Sequence, residues 1–138
     1  MTGRRLRAVA AGPIADELAQ RVRDAEPRLD FVVEQDLLPP QQHPGDHAGD
    51  LGFERSEADE RRYRELVDSA QVLYGIPGER PAQLARTLRA NPDLEWVQLM
   101  PAGGGAQVRG AHLSEEELGR VRFTTTAGVH AVPLAEWC

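Results

Sequence analysis

Val72-Leu73-Tyr74 runs into Gly75-Ile76-Pro77-Gly78, then Pro81, then Leu84, Ala85 and Leu88, then Asn91-Pro92 and Trp96-Val97-Gln98-Leu99-Met100. The first three residues are a short β-type run that stops at a glycine- and proline-rich turn. Pro81 suits the first turn of a helix, where its missing N–H removes no bond and its fixed φ is already helical. Leu84, Ala85 and Leu88 form the inner face of that helix. Asn91-Pro92 ends it, because the proline ring disfavours helical backbone in the residue before it. Trp96–Met100 is the next strand.

The same alternation extends both ways. Leu6–Ala10 is a brief apolar run ending at Gly12-Pro13. Ile14, Leu18, Val22 and Ala25 then mark one face of a helix, with Asp16 and Glu17 in the first turn, where the helix dipole favours them. Leu29–Glu34 reads as a second strand. Ser56 with Asp59 approximates a capping box, and Tyr63, Leu66, Val67 and Ala70 supply the core face behind it. Ser114 with Glu117 is a full capping box, with Leu113 and Leu118 placed for a hydrophobic staple. Val121–Thr125 is a fifth strand. Five strands alternating with helices predict an α/β, flavodoxin-like open parallel sheet with helices on both faces, one domain over residues 1–138.

Two segments break the rhythm. Residues 36–55, rich in Pro, Gly, Asp and His, predict a long surface loop. Pro133-Leu134-Ala135-Glu136-Trp137 opens a helix that ends after about one turn, whereas isolated helices need roughly 12–15 residues. The pattern predicts a chain that stops short of its complete domain organisation and self-associates through this helix.

Composition narrows the function classes. At 138 residues, with 41% apolar and 28% charged residues, the chain suits one soluble domain. A net charge of −6 gives no electrostatic footprint for nucleic acid or an anionic membrane. All 16 basic residues are Arg, so no Schiff-base or P-loop lysine exists. Neither a signal peptide nor a run of about 20 apolar residues is present. The single cysteine, Cys138, fits a reducing cytoplasm.

Ligands of open α/β sheets bind beyond the carboxyl ends of the strands. Four such ends carry Gly or Pro: Gly12-Pro13, Gly75–Gly78, Pro101–Gly105 and Ala127-Gly128. Gly103-Gly104-Gly105 leaves N–H groups uncovered before a possible helical turn at Ala106–Arg109, a geometry able to hold a carboxylate or phosphate. It is not a dinucleotide fingerprint, since Val108 stands where the third glycine of GxGxxG belongs. His43, Asp46 and His47 lack a fixed further metal ligand, so the reading is no metal site. His112 reads as surface. His130, after Ala127-Gly128-Val129, is the one histidine at a strand end. The runs Glu57, Asp59, Glu60 and Glu115–Glu117 are helix first turns. No carboxylate pair emerges, and Cys138 has no base partner.

The ordered series Ala70-Gln71-Val72-Leu73-Tyr74-Gly75-Ile76-Pro77, Asn91–Gln98, Ala102–Gly105 and Val121–Glu136, with Ala127-Gly128-Val129-His130-Ala131-Val132-Pro133-Leu134-Ala135-Glu136 at its end, resembles the N-terminal part of the NAD-dependent D-isomer-specific 2-hydroxyacid dehydrogenases. The resemblance covers about half of the chain by motif and the rest by element order. It implies a flavodoxin-like substrate domain. Tyr74, Gly75, Ile76 and the turn Gly103, Gly104 and Gly105 would bind a small 2-hydroxy or 2-keto acid, with Ala106-Gln107 departing from the family's hydrophobic-Asp pair. His130 would approach the cofactor, NAD(H) or NADP(H). The family's dinucleotide fingerprint, substrate-binding Arg and Glu–His pair do not occur in these 138 residues. The resemblance therefore implies no cofactor bound by this chain alone and no turnover. The alternative is a standalone small-ligand-binding or regulatory module on the same fold.

Overall fold

A computed structural model describes residues 4–138. Its strands are β1 (Leu6–Ala10), β2 (Leu29–Val32), β3 (Val72–Tyr74), β4 (Trp96–Gln98) and β5 (Arg122–Thr124). Its helices are α1 (Asp16–Ala25), α2 (Glu57–Asp68), α3 (Pro81–Ala90), α4 (Gly105–Gly110), α5 (Glu115–Arg120) and α6 (Ala131–Trp137). The five strands form one parallel sheet in the order β2-β1-β3-β4-β5. That is the flavodoxin-like strand order.

The order dictates where the helices go. From β1 the chain steps one way to β2, and from β2 it steps back past β1 to β3. Right-handed crossovers in opposite directions put α1 on one face and α2 on the other. The later steps, β3 to β4 to β5, continue in the second direction, so α3 and α5 share the face of α2. The register aligns Val9, Leu73, Val97 and Phe123 in one apolar row across the sheet, with Val32 beside Val9. Val9, Leu73 and Val97 are fully buried there, with Leu84 and Leu88 of α3 and Val67 of α2 also in the core. Burying each such side chain contributes about 1.5–3 kcal/mol.

Differences from the sequence reading sit at element ends. The second strand stops at Val32 rather than Glu34, because a 3-10 turn, Gln35–Leu37, tucks Leu37 and Leu38 into the core. The segment expected to be a surface loop is thus anchored at its start. β4 ends at Gln98, although Leu99 still donates its N–H to Thr124 at 2.8 Å. The final helix begins at Ala131, with Pro133 inside its first turn. Among the described residues no helix is long and apolar enough to cross a membrane.

Candidate functional site: the clefts at the strand carboxyl ends

β1 and β3 are neighbours whose chains leave toward opposite faces, which makes their carboxyl ends the topological switch point of the sheet. A cleft of about 520 Å³ opens there. Its floor is Gly12, Pro13 and Ile76–Gly78, and its walls are α2, α3 and residues 47–55 of the long loop.

Three local devices build the cleft. Asp46 turns inward and accepts N–H bonds from Gln42, Ala48 and Gly49 at 3.0–3.1 Å, which folds the HPGDH segment on itself. These bonds hold its carboxyl below the usual aspartate range. The loop then seats on the β1 turn so closely that a Cβ on Gly12 would lie 3.1 Å from the His47 carbonyl. Tyr63 of α2 reaches across the floor and donates its hydroxyl to the Ala11 carbonyl at 2.6 Å. Burial pushes this phenol up to about 12. Arg55 stacks on the Tyr63 ring at 3.7 Å from the centroid and donates Nε to the Leu37 carbonyl at 2.6 Å.

On the facing wall, Arg86 of α3 donates Nη1 and Nη2 to Oδ2 of Asp68 on α2, at 2.9 and 2.8 Å. Burial raises the Asp68 carboxyl. The Arg86 charge and the adjacent Thr87 hydroxyl draw it down in part. Glu79, at φ 54°, holds a left-handed backbone that non-glycine residues seldom adopt. Its carboxylate accepts from Gln107 Nε2 at 2.9 Å, tying the β3 turn to α4.

The residues singled out from sequence separate into three places. Ile76 lines the switch-point cleft and is 2% exposed. Tyr74 does not line it; its ring meets Phe31 edge-on at 6.0 Å, and partial burial raises its phenol. Gly75 has φ +81°, a left-handed backbone that favours glycine, and it turns the chain beside Gly12 and Met100. Its N–H donates to the Gln98 carbonyl at 2.8 Å, bringing the β3 turn against β4. Gly104 is buried, and a Cβ there would stand 2.8 Å from Leu99 Cβ. Gly103 and Gly105 are exposed, with open space beside them and N–H groups that take no acceptor. His130 is exposed as the N-cap of α6 and makes no side-chain bond. The sequence reading missed Arg55, Arg80, Arg86 and Thr87 as cleft residues. The available signal was the Arg80, Gln83, Thr87 spacing, a second face of α3 beside its apolar one.

Neither a metal nor a dinucleotide fits these residues. Among the described residues no group of three His, Cys, Asp or Glu side chains could hold a metal ion. Gly104 is committed to Leu99, Val108 replaces the third glycine of the fingerprint, and His130 adjoins neither turn's open space nor the cleft lining. No family model matches the chain, and no solved structure matches it.

Proposed function

We propose that the chain is the substrate-side module of a D-2-hydroxyacid-dehydrogenase-like oxidoreductase, binding a small 2-hydroxy or 2-keto acid without turning it over alone. One observation carries this reading. The turn after β3 is bonded to the end of β4 through the Gly75 N–H and the Gln98 carbonyl, and in the turn after β4 Gly103 and Gly105 leave their N–H groups without acceptors and with no side chain in the way. Backbone N–H groups in a turn are suited to a carboxylate, which needs donors and no bulky side chain in the way. The resemblance of residues 70–136 to that family's N-terminal part supports the same placement. Hydride transfer belongs to a dinucleotide-binding unit carrying NAD(H) or NADP(H), which these residues do not supply.

The same reading gives α6 a packing role. All seven of its residues are exposed, Leu134 at 63% and Trp137 at 90%, and only Glu136 is charged. A helix so apolar is stable only when covered. The isolated chain therefore self-associates through Leu134 and Trp137.

Equilibrium dialysis with a labelled 2-keto acid, paired with an NADH oxidation assay, tests the function. Saturable binding with no NADH consumption is expected. NADH-dependent reduction by the purified chain, or no binding at millimolar acid, contradicts it.

A further inference from the structure

Arginine N–H groups without acceptors line the switch-point cleft. Its inner carboxylates are already engaged: Glu60 takes Arg55 and Arg64, and Glu79 takes Gln107. Asp50 and Glu54 stand only on the exposed outer lip. The donors are different. Arg86 spends both terminal nitrogens on a single Asp68 oxygen, so its Nε is buried with no acceptor. The buried Thr87 hydroxyl adjoins the Asp68 carboxylate, whose Oδ1 is likewise buried without another partner, so those two serve one another. Arg55 has a side chain only 14% exposed and fixed against Tyr63, yet its Nη2 takes no acceptor. Arg80 forms no ion pair and no side-chain hydrogen bond among the described residues.

We infer that this cleft binds the oxyanion of a small organic molecule, a carboxylate or a phosphate, with Arg86 Nε, Arg55 Nη2 and Arg80 as its donors. An oxyanion offers several acceptor lone pairs and no donor, and guanidinium edges match its planar geometry. Buried Ala11, Val67 and Ile76 give the carbon portion an apolar floor. A volume of about 520 Å³ lies within the range of small-ligand pockets. The site is separate from the β4 turn, since Gly103, Gly104 and Gly105 do not line the cleft. The inference does not rest on the dehydrogenase reading.

Inorganic phosphate and acetate, titrated separately into the ¹⁵N-labelled chain against chloride at matched ionic strength, test it. Saturable amide shifts at Thr87, Gly78 and Arg80 are expected from one or both oxyanions and not from chloride. Phosphate alone identifies a phosphate ligand, and acetate alone a carboxylate. Arg80→Ala, which removes an exposed side chain without side-chain bonds, should bind about tenfold more weakly with its thermal midpoint unchanged. Arg55→Lys, which keeps the charge and loses the second terminal nitrogen, should weaken binding in the same way. Shifts that never saturate, or affinity equal to wild type in both variants, overturn the inference. Shifts confined to Gly103 and Gly105 overturn this site and leave the β4-turn reading standing.

Discussion

The Tyr63 hydroxyl stands 2.6 Å from the Ala11 carbonyl oxygen, joining α2 to the exit of β1 across 52 residues of sequence. This bond fixes the wall of the switch-point cleft to its floor. Tyr63→Phe keeps the packing and leaves the Ala11 carbonyl without its partner, at a cost of about 1–2 kcal/mol. The folded phenol ionises near 12, above its ordinary 10.0. The unfolded chain therefore releases this proton first. The stability so conferred is complete below pH 10 and is lost as pH rises toward about 12. Tyr74 shifts the same way and is common to both proteins. Denaturant melts at rising pH should show a steeper alkaline decline in wild type than in Tyr63→Phe.

The three glycines of the β4 turn should respond unequally to alanine. At Gly104 the new Cβ meets Leu99 Cβ at 2.8 Å and Cδ2 at 3.1 Å, so α4 or β4 must shift. About 1–3 kcal/mol of destabilisation is expected. At Gly103 and Gly105 nothing lies within 4 Å and neither φ is left-handed. Those two alanines should be neutral or slightly stabilising by thermal melt, through lower unfolded-state entropy.

Glu117 joins two devices. It completes the α5 capping box with Ser114 and accepts Arg89 Nε at 2.8 Å from α3. The Arg89 bond, and after it the Ser114 N–H, lower its carboxyl from 4.5 to about 2. Its contribution is complete above pH 4.5 and is lost as pH falls toward about 2. Glu117→Gln should flatten that part of the acid denaturation profile relative to wild type.

Arg120 ends α5 with its guanidinium aimed at the end of α3. It donates to the Leu88 and Pro92 carbonyls at 2.6 and 2.9 Å, with longer bonds to Asn91 and Leu94. Carbonyls at a helix carboxyl end lack intrahelical partners, so one cation serves several. Arg120→Ala should cost about 1–3 kcal/mol in urea unfolding, and Arg120→Lys should recover only part of it, lacking the fork.

What was legible in the sequence was local. The Ser114–Glu117 box forms as its spacing predicts because both bonds span three residues. Pro81 opens α3 for the same kind of reason. The parallel sheet followed from alternation. The floor of the switch-point cleft, at Gly12-Pro13 and Ile76–Gly78, was legible as strand ends; its arginine walls were not, because α2, α3 and the long loop bring them together from distant positions that spacing does not relate. Leu37 and Leu38 looked like part of a polar loop, yet a 3-10 turn buries both. Gly104 was read with Gly103 and Gly105 as one donor cradle. Its approach to Leu99 separates it from them, and a side-chain contact of that kind leaves no mark in composition.

The central claim is that the paired turns after β3 and β4 hold the carboxylate of a 2-keto acid. Amide chemical-shift mapping of the ¹⁵N-labelled chain during a pyruvate titration tests it most directly. The account predicts saturable shifts at Gly75, Gly103 and Gly105. Those three amides remaining unmoved while pyruvate binds elsewhere, or does not bind, would contradict it.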